Sequence, residues 1–144
     1  MKFAVTGGTG FIGNNIVRQL LKQNHTPIVI DSLYRGNIEN ISSLDVEFHK
    51  IDIRDFDQLR DILKNSDGVF HEAALTDVQE SFTKQREYID VNVKGTENIF
   101  RIAKEFDLKV VYASSSSIYG NPKKIPIKEN SERNPINPYG KTKL

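Results

Sequence analysis

The stretch Lys2–Lys22, KFAVTGGTGFIGNNIVRQLLK, decides the fold. Lys2–Thr6 is a short apolar run that stops at glycine, the pattern of a buried strand ending in a tight turn. From Phe11 to Gln23 the apolar residues Ile12, Ile16, Val17, Leu20 and Leu21 fall at helical spacing. Between strand and helix, Gly8, Gly10 and Gly13 fit G-x-G-x-x-G, and Gly7, Gly10 and Gly13 fit G-x-x-G-x-x-G. Glycines there let the backbone turn sharply and approach a pyrophosphate without Cβ clashes, while free N–H groups at the helix start face the negative charge. The plainer alternative is a tight turn whose glycines serve packing alone.

A second element favours the dinucleotide reading. The β-branched run PIVIDS, from Pro27, ends at Asp31, 18 residues after Gly13. A carboxylate roughly 20 residues past the glycines can accept both hydroxyls of an adenosine ribose, and it repels a 2′-phosphate. That favours NAD over NADP. Arg35 pulls the other way, because a guanidinium there could pair with such a phosphate. Without the glycines, Asp31 would read as a turn residue at a strand end.

Further along, VEFHKID (Val46–Asp52), DGVFHEA and LKVVYASS read as strands. Asp55 followed by Gln58 resembles a capping box opening a helix over Phe56–Lys64. A long helix is expected before the fifth strand, with Ile89, Val93, Thr96, Phe100 and Ala103 on one face. Strands alternating with helices through short connections imply crossovers. The expected fold class is therefore α/β: a Rossmann-type doubly wound parallel sheet of about five strands. Pro122, Pro126, Pro135 and Pro138 interrupt any periodicity, so residues 120–140 read as a Pro-rich loop, and loops of that length are commonly functional.

Composition narrows the class. The 144 residues carry 20 basic and 19 acidic side chains, formal net charge +1, and no basic stripe, so nothing points to nucleic acid. The lysines at 123 and 124 read as a solvated loop. Cysteine is absent, which excludes disulfides and thiolate metal sites. His25, His49 and His71 share no ligand-like spacing, so no metal is expected and they read as strand-end or surface residues. No secretory signal and no apolar run of about 18 residues is visible. A cytoplasmic protein with no membrane partner is the expectation.

Tyr-x-x-x-Lys occurs twice, at Tyr119–Lys123 and Tyr139–Lys143. Pro122 lies inside the first and blocks a regular helix. Pro138 precedes the second, where a helix start tolerates it. Tyr139 and Lys143 then sit at i and i+4 on one face. An ammonium beside a phenol favours the phenolate, the form a general base needs.

Taken together, VTGGTGFIG, DSLYRGN, DIRD, HEAA, DVNVKGT, SSSSIYG and NPYGKTK resemble, in order and spacing, the extended short-chain dehydrogenase/reductase family. The resemblance is narrower still to its NAD-dependent nucleotide-sugar epimerases and dehydratases, with the UDP-hexose 4-epimerases nearest. It implies that Gly7, Gly10, Phe11, Ile12 and Gly13 form the pyrophosphate loop and that Asp31 and Ser32 contact the adenosine ribose. It implies that Asp52 and Ile53 flank adenine, that Ala73 and Ala74 line the cofactor, and that Asn92 braces cofactor and active site. Ser115, Tyr139 and Lys143 would be catalytic, with Ser116 and Ser117 facing the sugar and Lys143 also holding the nicotinamide ribose. Read without the family, Ser114–Ser117 is a polar strand end, Asn92 a surface or capping residue, and Asp52 an acid in a helical first turn.

Three departures from the family pattern matter, the largest being length. Thr76 stands where epimerases often carry a lysine. Ser116–Ser117 replaces the Asp–Glu pair of 4,6-dehydratases, which counts against dehydration. Family members also continue for roughly as many residues again, into further strands and a substrate domain. The expectation is thus the cofactor-binding part of a nucleotide-sugar epimerase taking a UDP-hexose through a 4-keto intermediate. This portion would bind NAD without turning over sugar, and its exposed sheet edge would invite a homodimer. The alternatives are a dehydratase or reductase of the same family, or a non-catalytic dinucleotide-binding module.

Overall fold

The computed structural model describes all 144 residues. Five strands form one sheet: β1 (Lys2–Thr6), β2 (Thr26–Asp31), β3 (Glu47–Lys50), β4 (Gly68–His71) and β5 (Lys109–Tyr112). Their order is β3-β2-β1-β4-β5, and every pairing is parallel. The chain therefore winds outward from β1 in both directions. The carboxyl ends of β1 and β4 part where it reverses, the usual place for a ligand in such a sheet.

One face is covered by α1 (Phe11–Lys22), which buries Val17 and Leu20 against Val5 and Val29. The other is covered by α2 (Phe56–Leu63) and α5 (Thr96–Glu105), which place Leu59, Leu63, Ile99 and Ile102 over Ala4, Ile28, Ile30 and Val69. Asp55 caps α2 by accepting from the Gln58 N–H at 3.2 Å. The Gln58 side chain donates to the Asp55 carboxylate instead of reaching back to the backbone, so half of a capping box forms. β3 and β5 are the sheet edges, and Val111 on β5 is 55% exposed. No helix is long and apolar enough to cross a membrane.

The expected long helix differs in its details. Two short helices precede it, α3 (Val78–Thr83) and α4 (Gln85–Tyr88), and a π-helical stretch (Ile89–Gly95) then leads into α5. The inward face carries Tyr88, Asn92, Gly95, Thr96, Ile99, Ile102 and Ala103, whereas Ile89 and Phe100 are exposed. Of the expected face, Thr96 and Ala103 are buried. The physical reason is that several inward positions are polar or glycine and each has a specific task. Asn92 and Thr96 make buried hydrogen bonds, and a Cβ on Gly95 would fall 2.6 Å from Ile53.

Gly7 and Gly13 are among the glycines that the turn after β1 requires. Gly7 has φ +68°, and a Cβ there would meet the Ala73 backbone at 2.8 Å. A Cβ on Gly13 would stand 2.2 Å from the Gly7 carbonyl oxygen. Gly10 differs, because its Cβ would meet only that oxygen, at 3.2 Å. Gly13→Ala is therefore expected to cost about 3 kcal/mol or more, lowering Tm by roughly 8 °C, while Gly10→Ala stays within about 1 kcal/mol. Thermal unfolding of both variants checks this, and equal losses would contradict it.

His71 is a strand-end residue, as expected, but it is also part of the core, at 1% exposure. Its Nδ1 lies 2.7 Å from Thr6 Oγ1 and its Nε2 lies 2.8 Å from Thr96 Oγ1, which ties β1, β4 and α5 together. Burial, helped by the charge of Lys143, pushes it down to about 3. The unfolded chain thus binds a proton near pH 6.5 that the folded chain refuses. Stability is lost as pH falls from about 6.5 toward 3. Between pH 6.5 and 5, urea unfolding should show wild type losing about 2 kcal/mol more than His71→Asn; parallel slopes would contradict the assignment.

Candidate functional site

A cleft of about 690 Å³ opens at the carboxyl ends of the strands. Its floor is the glycine loop, with Gly7, Gly10, Phe11, Ile12 and Gly13. Asp31 and Ser32 follow from the end of β2, Asp52 and Ile53 from the segment after β3, and Ala73 and Ala74 from the segment after β4. Every residue the sequence suggested for cofactor binding from these four segments thus lines one cavity.

The helix facing the cleft begins without a side-chain cap, since Gly10 occupies the N-cap position. Helices α2 and α3 and the last helix, α6 (Pro138–Lys143), are capped by Asp55, Asp77 and Asn137. The first N–H groups of α1 therefore keep their capacity for an anion, in a turn where a Cβ at Gly10 would meet little. Phe11, 85% exposed, and Ile12, 58% exposed, form an apolar rim beside them.

Asp31 is 8% exposed. Its Oδ2 accepts from the Thr9 N–H at 3.1 Å and its Oδ1 from the Leu33 N–H at 2.8 Å. This second bond holds Leu33 at φ +60°, a conformation leucine rarely adopts. The carboxylate still has lone pairs for two hydroxyls. Gly36 is needed at the return of the loop, because a Cβ there would collide with Thr9 Oγ1 at 1.9 Å. Ser32 Oγ accepts from the Tyr34 N–H at 3.3 Å. Asp52 is paired with Arg54, whose hydrogen bonds hold the carboxyl below its ordinary range.

The remaining expected residues gather at the β4–β5 side, outside the cleft lining. The α6 helix forms, beginning at Pro138 and so ending the irregular segment at Asn137. Neighbours hold it in place. Asn137 Oδ1 accepts from the Gly140 N–H at 2.6 Å, Ser81 Oγ accepts from the Tyr139 N–H at 3.2 Å, and Ser114 Oγ donates to the Lys143 carbonyl at 3.1 Å. Asn92 accepts from the Leu75 N–H at 2.8 Å and donates both to the Leu75 carbonyl at 2.9 Å and to Thr142 Oγ1 at 3.0 Å. It therefore links α6 to Leu75, which lines the cleft.

Tyr139 is buried against Leu75 and Tyr88. Lys143 is 4% exposed, with its ammonium 4.3 Å from the centre of the Tyr112 ring. Burial lowers its pKa to about 8, opposed by the nearby Glu72 carboxylate. Glu72 is itself raised by burial. Lys143 thus remains mostly cationic at neutral pH. Ser115 caps the 3-10 turn Ser116–Tyr119, accepting from the Ser117 N–H at 3.2 Å. Neither Ser115 nor Lys143 hydrogen-bonds the Tyr139 hydroxyl. Tyr119, the rejected alternative, ends that 3-10 turn and belongs to no α-helix, so Tyr119 and Lys123 share no helical face.

Sequence reasoning missed Glu72, Tyr112, Ser81 and Tyr88. It also missed α3, although Asp77 with Glu80 three residues later carries a capping signature; Asp77 Oδ1 does accept from the Glu80 N–H, at 2.9 Å.

Residues 3–144 match the NAD dependent epimerase/dehydratase family. The UDP-glucose 4-epimerase of Lactobacillus helveticus is 40% identical over 147 residues, covering 100% of this chain and 44% of the relative. That of Halalkalibacterium halodurans is 43% identical over 148 residues, covering 100% and 43%. The chain thus spans a little under half the length of these curated relatives. Among solved structures, the Brucella ovis UDP-glucose 4-epimerase in complex with NAD superimposes with TM-score 0.93 at 34% identity, covering 99% of this chain and 44% of that one. The Thermotoga maritima UDP-glucose 4-epimerase with UDP-glucose gives 0.94 at 30% identity, covering 99% and 48%. The family model spans nearly the whole chain, which belongs to the NAD-dependent epimerase/dehydratase family.

Proposed function

We propose that this chain binds NAD in the cleft and forms the cofactor-binding part of a UDP-hexose 4-epimerase. The observation that carries the reading is the uncapped start of α1 facing a cleft whose β2 wall ends in buried Asp31. The first N–H groups of α1 hold the pyrophosphate, Asp31 and Ser32 the adenosine ribose, and Asp52 and Ile53 flank the adenine. Ala73 and Ala74 leave room on the β4 side, and Asn92 fixes Leu75 beside it. When bound, NAD supplies reversible hydride acceptance at a sugar carbon.

The proton is the task of this chain's own residues. Tyr139 takes it from the sugar 4-hydroxyl and returns it, a role for which a positioned general base contributes about 10²- to 10⁴-fold. Ser115 hydrogen-bonds the same oxygen, turning away from the Ser117 N–H that it now accepts. The cation on Lys143 stabilises the phenolate and holds the nicotinamide ribose. Ser116 and Ser117 face the sugar and offer no carboxyl pair for dehydration. Asn137 ends the Pro-rich segment at α6, so that segment borders the same site. The UDP-glucose named with the Thermotoga maritima relative supports a UDP-hexose as the substrate class.

Calorimetric titration of the chain should show NAD binding that Asp31→Asn weakens about tenfold, given the charge-assisted bonds lost; no NAD binding by wild type would overturn the reading. For the reaction, the chain can be fused to the C-terminal portion of the Halalkalibacterium relative and assayed with UDP-galactose. Tyr139→Phe should lower turnover at least about 100-fold with NAD affinity within about threefold. Unchanged turnover would remove Tyr139 from the mechanism.

A further inference from the structure

Two arginines, Arg35 and Arg54, contribute to the lining of the cleft along with Asp31. A cation beside the adenosine ribose is what draws a 2′-phosphate into such a site. Both are already engaged. Arg54 is held by Asp52 through Nε–Oδ1 at 2.9 Å and Nη2–Oδ2 at 2.6 Å, and Asp52 also lines the cleft. That pair is self-contained.

Arg35 is engaged differently. Its partner, Glu80 on α3, stands outside the cleft lining, and Nη2 donates to Glu80 Oε2 at 2.8 Å. Glu80 is the fixed member, its side chain 19% exposed against 54% for Arg35. Its Oε1 accepts from Lys84 Nζ at 2.9 Å, and the hydroxyl of fully buried Tyr88 stands 3.1 Å from Oε2. The Lys84 ammonium also reaches the Tyr34 hydroxyl at 3.4 Å, a second link between α3–α4 and the loop after β2. The Arg35 side chain is long, exposed and rotatable, so what it does depends on what Glu80 offers.

We propose that Glu80 is a positioning residue for dinucleotide discrimination: by holding Arg35 against α3 it withdraws the guanidinium that would otherwise turn onto a 2′-phosphate, so the cleft selects NAD over NADP. This rests on the reading of the cleft as an NAD site. Asp31 repels a 2′-phosphate in every variant, and exposed ion pairs are individually weak, so the effect of releasing Arg35 is moderate. It is also electrostatic, and therefore screened by salt.

The test measures binding of NAD and NADP, with 5′-AMP and 2′,5′-ADP as probes of the phosphate alone, by the 144-residue chain. Glu80→Gln is expected to tighten NADP and 2′,5′-ADP about five- to tenfold at low salt, with NAD and 5′-AMP changed less than about twofold. Most of the gain should vanish at about 0.5 M salt. It should vanish entirely in Glu80→Gln/Arg35→Ala. Glu80→Asp keeps a charge beside Lys84 but shortens the reach to Arg35, and it should give a smaller gain of the same kind. Unchanged NADP/NAD ratios in both single variants, or an equal gain without Arg35, would overturn the proposal while leaving NAD binding intact. Failure of the wild type to bind NAD would overturn both.

Discussion

The backbone at Gly13 passes so close to the Gly7 carbonyl that no side chain fits between them, and the cleft depends on that contact. It fixes where α1 starts relative to β1. It aims the uncapped end of α1 across the carboxyl ends of the strands, toward Asp31 on β2 and Ala73 beyond β4. Gly7, turned to positive φ, lies against the Ala73 backbone from the other side. The open start of α1 at the cleft is thus a consequence of backbone packing, and apolar burial of Val17 and Leu20 anchors the helix to the sheet behind it.

The second half of the site hangs on buried polar groups. His71 joins Thr6 to Thr96 and thereby sets the height of α5 on the sheet. Asn92 satisfies both backbone groups of Leu75 and reaches Thr142 on α6. Such groups are costly when unpaired and specify geometry when paired. The six-residue α6 could not persist by propensity alone. Its cap from Asn137 and its bonds to Ser81, Asn92 and Ser114 hold it. The buried Lys143 ammonium is compensated by the Tyr112 ring and the Glu72 carboxylate, and it stays cationic near neutral pH.

What could be read from the sequence followed from how local each signal was. The strand, glycine loop and α1 are written in consecutive residues, and Asp31 lies at a spacing that backbone geometry dictates. Pro122 and Pro138 distinguished the two tyrosines through φ restriction, a local effect. The inward face of the helix before β5 departs from its apolar pattern because it includes Asn92, Gly95 and Thr96, which such a pattern passes over. Ser81 meets Tyr139 across 58 residues of sequence, and Arg35 meets Glu80 across 45. Nothing local encodes either meeting. The Arg35 ambiguity, left open by the sequence, is one that only a partner distant in the chain could address.

The most direct test of the central claim is an amide NMR titration of the chain with NAD. Binding at the uncapped helix start predicts the largest shifts at the backbone amides of Phe11, Ile12 and Gly13, with further shifts at Leu33, Ile53 and Ala74. Shifts confined to the Pro-rich segment, or none at saturating NAD, would contradict it.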